Sequence, residues 1–217
     1  MPAKRRDRLR NRGGDRDPAP RSGPSSPSPS TRRGNGLWLR GILIALAVIL
    51  VYANGLSGPF VMDDAASIVE NSQIREWWRP ARLLTSEREL PVAGRPLVTV
   101  SLAFNYALGG LDVRGYHIGN VAVHLGCALL VFGVVRRTLR SRRLDGRLGR
   151  KSLDLAFTVA LLWAIHPLNT EAVDYLTQRT ETMMAFFYLL TVYSSVRAAD
   201  SLAGKVWPVA AVLSCAS

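Results

Sequence analysis

Two adjacent acidic residues stand just beyond an apolar run, in a place where charge is costly. The segment "GPFVMDDAASIVEN", residues 58–71, carries Asp63 and Asp64 within ten residues of the end of that run. Partial removal from water raises the pKa of a carboxyl group, and a like-charged neighbour raises it further. A carboxylate tuned in this way can take a proton from a hydroxyl group near neutral pH. Asp63 and Asp64 are therefore candidates for a general base.

The two aspartates are expected to differ in role. Asp63 directly follows the apolar residues 60–62, so we predict that it is the base. Asp64 precedes a stretch that favours a helix from Ala65, and aspartate is a preferred residue at a helix amino terminus. We predict that Asp64 caps this helix. A turn that uses both aspartates only structurally is the alternative.

A second polar segment, "HPLNTEAVDYLTQRTET" at 166–182, separates two apolar runs. Its proline disfavours helical backbone at the preceding residue, which predicts that the helix before it ends there. The concentration of acidic and polar residues between two short apolar runs indicates a functional site rather than a simple connecting turn. The residues predicted to contribute to that site are His166, Glu171, Asp174, Arg179 and Glu181.

The middle of this segment has the pattern of a short helix. Asn169 or Thr170 can cap it. Glu171, Asp174 and Gln178 then follow at i, i+3 and i+7, which places them on one helical face. The pattern predicts one polar surface beside the end of the next apolar run.

Polar residues also occur inside an apolar run. His117, Asn120 and His124 are spaced at i, i+3 and i+7, and such residues usually face other helices or a water-filled cavity. Hydrogen bonds between helices and a ligand role are the two interpretations. The three histidines of the chain have no zinc-ligand spacing, so no metal site is predicted, and a divalent cation stays open as a cofactor.

Apolar runs set the architecture that must position these residues. At about 1.5 Å per helical residue, some 20 residues cross a hydrocarbon layer of about 30 Å. The chain is 48% hydrophobic, and its apolar residues are concentrated in separate runs. The runs lie at 37–54, 117–135, 152–166, 183–196 and 206–217. We predict an all-α polytopic membrane protein, with residues 37–217 forming a helical bundle of about five spans.

The first 36 residues are predicted to be disordered. They hold ten Lys and Arg residues among Pro, Ser and Gly and almost no large apolar residue, so they cannot bury enough surface to fold. The net charge of +12 and pI near 10.8 could indicate nucleic acid. This tail has no aromatic residue to stack on bases, and the basic blocks border apolar runs. The pattern favours a membrane and excludes nucleic acid.

Charge then predicts the orientation. Residues 136–151 hold eight Lys and Arg and one Asp, whereas residues 55–115 hold six Arg and seven acidic residues. Basic loops remain in the cytoplasm. The amino terminus and 136–151 are therefore predicted to be cytoplasmic in a cell-membrane protein, and the loop 55–116 and the 166–182 turn face the outside.

The outside loop is predicted to contain interfacial helices. Its first helix-like stretch spans 67–84 and carries Trp77 and Trp78 beside arginines, a pattern typical of a helix at headgroup depth. Pro80 should break or kink that helix. A second stretch, 96–110, is apolar with polar residues interspersed. Both could lie along the membrane surface.

Taken in order, three motifs resemble a known family. "YANGLSGPFVMDD…IVENSQI", "GRPLVTVSLAFNYALGGLDVRGYHIGNVAVH" and "HPLNTEAVDYLTQRTE" are similar to the amino-terminal membrane region of tetratricopeptide-repeat O-mannosyltransferase-like proteins. These are polytopic GT-C glycosyltransferases that use a polyprenyl-phosphate sugar. The resemblance covers roughly residues 50–196. It implies that Asp63 and Asp64 lie on the acidic motif of the catalytic loop.

The resemblance also implies a partial GT-C-like bundle in which His166, Pro167, Glu171 and Arg179 line the same cavity. Our leading hypothesis for the reaction is inverting transfer of a sugar, with mannose as one candidate, from the lipid donor to a hydroxyl group of a protein or glycan. An aspartate takes the proton of that hydroxyl. A cation such as Arg179 or Arg95 stabilises the leaving phosphate.

A non-catalytic multi-pass membrane scaffold is the alternative function. In it the acidic residues would be helix caps and the arginines would anchor to lipids. A catalyst should lose activity when the acidic residues of the two outside segments are replaced by their amides, whereas a scaffold should tolerate these replacements.

Overall fold

Every regular element is a helix in the residues that the computed structural model describes, which are 29–84, 90–141 and 144–200. The α-helices are α1 (Pro29–Tyr52), α2 (Pro80–Leu84), α3 (Pro96–Gly109), α4 (Val113–Leu139), α5 (Asp145–Leu148), α6 (Ser152–Ala164), α7 (Asn169–Asp174) and α8 (Arg179–Asp200). Short turns of 3-10 or π helix lie at Gly55–Ser57, Ala65–Val69, Gln73–Arg75, Gly149–Lys151 and Leu176–Gln178. The all-α prediction is confirmed for these residues. The run at 206–217 lies outside them.

Helix α4 is the centre of the bundle, and α1, α6 and α8 pack around it. Its contact with α6 uses small side chains, because Ala156, Ala160 and Ala164 recur every four residues and are fully buried. They form one apolar core with Ile44 and Val48 of α1 and with residues of α4. Small residues on one face allow two helices to approach closely.

The contact between α4 and α8 depends on two glycines. A Cβ atom at Gly126 would lie 2.8 Å from the Phe186 ring, and one at Gly133 would lie 2.7 Å from the Tyr193 ring. Both distances are shorter than van der Waals contact, so the aromatic rings of α8 fill the space that the missing side chains leave. These two positions set the distance between the helices.

One helix of the described residues, α4, is long and apolar enough to cross a membrane by length and composition. It contains the predicted run at 117–135. The apolar part of α1, Gly36–Tyr52, is shorter, and the 13 residues of α6 extend about 20 Å. That α1, α6 and α8 also span a membrane stays a prediction.

The first helix differs from its predicted start. It begins at Pro29 rather than at 37, since proline is tolerated in the first turn of a helix. Residues 1–28 of the predicted disordered tail lie outside the described residues.

The prediction of one continuous interfacial helix over 67–84 is wrong. The structure has separate short turns there, and Pro80 begins α2 rather than breaking a helix, as proline favours the first helical position. Asn71 explains the interruption, because its amide donates to the Ser67 carbonyl at 3.0 Å and its oxygen accepts from the Gln73 amide at 2.9 Å. Such local bonds compete with helix formation. The second stretch is the helix α3.

A second apolar core holds this loop region together. It joins Ile68 and Ile74 to Val98 and Leu102 of α3 and to Leu176, which follows α7. The 58–84 region and the 166–182 region therefore pack on the same end of the bundle. This packing brings the two predicted site segments together.

Candidate functional site

Asp64 links the 58–84 region to the 166–182 region through hydrogen bonds of its side chain. Its carboxylate is fully buried, and its Oδ1 accepts from the backbone amide of Thr177 at 2.8 Å and from the Thr177 hydroxyl at 2.7 Å. Its Oδ2 accepts from the Val61 amide at 3.1 Å. These bonds satisfy a buried charge with three donors, which is what burial of a carboxylate requires.

The predicted capping role of Asp64 is wrong. The short helical turn does begin at Ala65, but the Asp64 side chain makes no cap hydrogen bond to it. The carboxylate turns back to Val61 and across to Thr177 instead. A contact between residues so far apart in the chain is not visible in local sequence pattern.

Removing the Thr177 hydroxyl should weaken this junction. In Thr177→Val the Asp64 carboxylate keeps two amide donors and loses one hydroxyl donor. A hydrogen bond to a charged group is worth about 1.5–3 kcal/mol, so we expect a loss of that size in the free energy of unfolding, measured by denaturant titration in detergent. Thr170→Val, at an exposed threonine of α7, is the control and should change stability by less than about 0.5 kcal/mol. Equal stability of the two variants would contradict the bridging role.

Asp63 is exposed next to this buried anchor. Its backbone amide donates to the Tyr175 hydroxyl oxygen at 3.1 Å. Burial raises the pKa of Tyr175 above its ordinary value, and the charges of Asp63 and Asp64 raise it further. The phenol therefore stays protonated at neutral pH, and its oxygen holds the backbone of Asp63 in place.

The predicted single helix over 169–178 is shorter in the structure. Helix α7 ends at Asp174, and no side chain caps its start. Tyr175 has extended backbone, with φ −85° and ψ 112°. The Asn120 amide donates to the carbonyls of Val173 and Tyr175 at 3.1 and 3.4 Å, which stabilises this break. Gln178 therefore lies in a separate turn, and the prediction that it shares a helical face with Asp174 is wrong.

Asp174 faces the end of α1. A Cβ atom at Gly55 would lie 2.5 Å from its Oδ1, so only glycine leaves room for the carboxylate there. Burial raises the pKa of Asp174 above its ordinary value, and the nearby His117 opposes this rise. Asp174 is thus partly buried at the junction of α1, α4 and α7.

Arg179 lies buried at the first residue of α8, with 2% of its surface exposed. Its Nε donates to Asn120 Oδ1 at 2.7 Å, Nη1 donates to Asn105 Oδ1 at 2.6 Å, and Nη2 donates to the Tyr116 carbonyl at 2.7 Å. Within the described part of the chain, it forms no ion pair with a carboxylate. Neutral oxygens of α3 and α4 therefore hold the guanidinium.

Gly119 makes room for this guanidinium. A Cβ atom at position 119 would lie 2.7 Å from Nη2 of Arg179 and 2.9 Å from Oδ1 of Asn105. A side chain on α4 at this position would displace the hydrogen-bonded cluster.

The polar residues inside α4 bind neighbouring backbone. His117 Nε2 lies 3.2 Å from the Gly58 carbonyl oxygen, and His124 Nε2 lies 2.8 Å from that of Ala164. Asn120 contacts both α7 and Arg179. The interpretation as hydrogen-bond links between helices is confirmed for Asn120 and His124, whereas His117 links α4 to the loop at Gly58.

Arg95 borders a cavity between the start of α3 and the first turns of α8. The cavity has a volume of about 490 Å³ and a mostly apolar lining that includes Met183, Met184, Phe187 and Tyr188. Arg95 is exposed, and its guanidinium donates to the Pro91 carbonyl at 3.5 Å. An apolar cavity with one cation on its border has the chemistry to hold an amphiphile with an anionic group.

Three predicted site residues have little contact with the rest of the site. His166, Glu171 and Glu181 are exposed, and Nδ1 of His166 accepts from the Leu168 amide at 3.2 Å. The structure also shows two contributors that the sequence did not predict, Tyr175 and Thr177. Neither residue is charged, so neither was considered as a candidate from the sequence. Their place in the motif "VDYLTQR", between Asp174 and Arg179, is the one sequence feature that could have indicated them.

The described residues offer no metal site made of three or more His, Cys, Asp or Glu side chains.

Comparison with known proteins finds relatives that are named protein O-mannosyl-transferases. The chain is 30% identical over 195 residues to human protein O-mannosyl-transferase TMTC1, covering 83% of this chain and 20% of that protein. It is 35% identical over 158 residues to Tmtc1 of Drosophila melanogaster (69% and 17% covered) and 29% identical over 170 residues to human TMTC4 (69% and 22% covered). No family model and no solved structure matches. The resemblance predicted from the sequence is confirmed, and the chain spans about one fifth of the length of these relatives.

Proposed function

This chain is a relative of the protein O-mannosyl-transferases, and we propose that it supplies the catalytic membrane region of a glycosyltransferase. The substrate is a sugar, mannose in the first instance, carried on a polyprenyl phosphate. The acceptor is a hydroxyl group, such as that of a protein Ser or Thr, at the extracytoplasmic face. The names of the relatives support transfer of mannose to protein. The site geometry supports the base and the lipid donor, and the distribution of basic residues supports the extracytoplasmic face.

The position of Asp63 is the observation that carries the proposal. Its carboxylate is exposed, while its neighbour Asp64 is bound by three donors and fixes the segment to the 166–182 region. The Tyr175 hydroxyl, from the same region, accepts from the Asp63 backbone amide and holds that backbone in place. A rigid support with one accessible carboxylate is what general-base catalysis requires.

The reaction proceeds as one displacement. Asp63 takes the proton of the acceptor hydroxyl as its oxygen attacks the anomeric carbon, and the bond from that carbon to the phosphate oxygen breaks. The phosphate leaves with the electron pair, so negative charge develops on it. We assign the stabilisation of that charge to Arg95, and the apolar cavity that Arg95 borders would accept the first isoprene units of the lipid.

The exposed apolar faces of the bundle support a membrane setting. Leu46 and Leu50 of α1 and Leu162 of α6 are at least half exposed, and such a surface is favourable in lipid but costly in water. The donor's lipid would remain in the bilayer, so a base near the end of the helices can reach its sugar.

A donor assay tests this function. The full-length gene product in membranes is given a hydroxyl-bearing acceptor peptide with polyprenyl-phosphate mannose or with a nucleotide-activated mannose. We expect transfer from the lipid donor. Transfer from the nucleotide sugar alone, in membranes free of polyprenyl phosphate, would contradict the proposed donor.

Arg95→Gln should weaken use of the lipid donor. Loss of one charge-assisted contact to phosphate is worth about 1.5–3 kcal/mol, so we expect kcat/KM for the donor to fall by about ten- to a hundredfold. Arg114→Gln, at an exposed arginine at the start of α4, makes the same charge change and should keep kcat/KM within about twofold. Equal values for both variants would remove Arg95 from the site.

A further inference from the structure

A basic cleft lies at the end of the bundle opposite the candidate site. It is bordered by the end of α4, by α5 and the turn that follows it, by Leu37 of α1 and by the start of α6, and it has a volume of about 510 Å³. Three arginines, Arg136, Arg140 and Arg150, line it. Arg136 is twenty residues along α4 from Tyr116, which contacts Arg179, or about 30 Å at the rise of a helix. The cleft is therefore separate from the proposed transferase site.

The cleft has excess positive charge. Its lining includes one carboxylate, Asp145, against three guanidiniums. Among the described residues, Arg136, Arg140 and Arg150 form no ion pair, and the carboxylate of Asp154 is bound to Arg40 instead. Three like charges around one cleft repel each other unless an anion lies between them.

Arg137, three residues before Arg140 on α4, differs from the arginines of the cleft because it has a partner on another helix. The guanidinium of Arg137 lies over the Tyr193 ring of α8, 5.4 Å from its centroid. That contact directs it toward α8. The arginines of the cleft have a planar fork of donors that suits a phosphate group.

The lining also includes apolar side chains. Leu37 of α1 and Leu153 of α6 border the cleft, and the exposed apolar residues of both helices continue away from it along the bundle. An occupant with a phosphate head and a hydrocarbon tail satisfies both parts of this surface. Basic clefts between helices near a membrane surface bind anionic lipid headgroups in this way.

We propose that this cleft binds the phosphate of an anionic glycerophospholipid, with the lipid's acyl chains along the apolar surfaces of α1 and α6. In the predicted orientation this is the cytoplasmic leaflet. The site is independent of sugar transfer, so its test does not depend on the proposed function.

Lipid-dependent binding tests the site. The full chain is purified in neutral detergent, and its affinity for phosphatidylglycerol is compared with that for phosphatidylcholine in mixed micelles at fixed ionic strength. We expect preference for phosphatidylglycerol, and we expect Arg140→Gln and Arg150→Gln each to weaken that binding by about fivefold. Both arginines are exposed, so the variants should fold, as checked by melting in phosphatidylcholine alone.

Arg147→Gln is the matched control. Arg147 is an exposed arginine of α5 that does not line the cleft, and its replacement changes the net charge equally. We expect binding within about twofold of the parent. An equal loss in Arg147→Gln would show general surface attraction and overturn the proposal. Equal affinity for the two lipids would overturn it also. Binding of inorganic phosphate as tight as that of phosphatidylglycerol would overturn it too, since the acyl chains would then contribute nothing.

Discussion

Replacing Asp63 with asparagine should lower the rate of sugar transfer by a factor of about 10² to 10⁴, the usual contribution of a general base. The amide keeps the size of the side chain but cannot accept the proton. Because Asp63 is exposed and its backbone amide makes the contact with Tyr175, folding should be preserved. The rate is measured with the full-length gene product and a polyprenyl-phosphate mannose donor.

Glu70→Gln is the control for this experiment. Glu70 is an exposed carboxylate on the same loop, and its replacement changes the charge of the loop equally. We expect nearly parental transfer. If Asp63→Asn also transfers at the parental rate, the catalytic interpretation fails and the non-catalytic scaffold becomes the better account of the chain.

Asp64 must be treated differently from Asp63. An asparagine there retains one oxygen for the Thr177 donors, but its amide group would face the backbone amide of Val61, which is also a donor. A buried donor without an acceptor costs about 1–3 kcal/mol. Loss of activity in Asp64→Asn therefore has to be corrected for the amount of folded protein before it is assigned to chemistry.

Local sequence patterns predicted the parts of this fold that depend on local forces. The apolar run at 117–135 lies within α4, and the helical stretch from Pro96 is α3. The proline at 167 predicted the end of α6, which terminates at Ala164. Apolar periodicity and proline act within a few residues, so they can be read directly from the chain.

The candidate site depends on long-range contacts, which explains what was missed. Asp64 was predicted to cap the next turn, but Thr177, 113 residues away in the chain, provides two of its three donors. The break after α7 depends on Asn120 of another helix. A sequence pattern of a few neighbouring residues cannot indicate partners that lie so far away in the chain.

Arg179 was predicted to contact substrate, and that role stays a prediction. Its contacts in the structure favour positioning instead, since a guanidinium bound by Asn105, Asn120 and the Tyr116 carbonyl has few donors left for a ligand. It connects α3, α4 and α8. Arg95, which is exposed beside a cavity, is the better candidate for the phosphate.

Replacing Arg179 with glutamine should therefore destabilise the protein by about 3 kcal/mol or more, because several buried oxygens would lose their donor and each costs about 1–3 kcal/mol. Arg179→Lys keeps the charge but lacks the planar fork, so it should recover only part of the loss. The free energy of unfolding in detergent measures both. Arg95→Gln is the control and should unfold like the parent. An Arg179→Gln protein that unfolds like the parent but binds the donor weakly would restore Arg179 as a substrate ligand, since a side chain that mainly holds helices together cannot be removed without loss of stability.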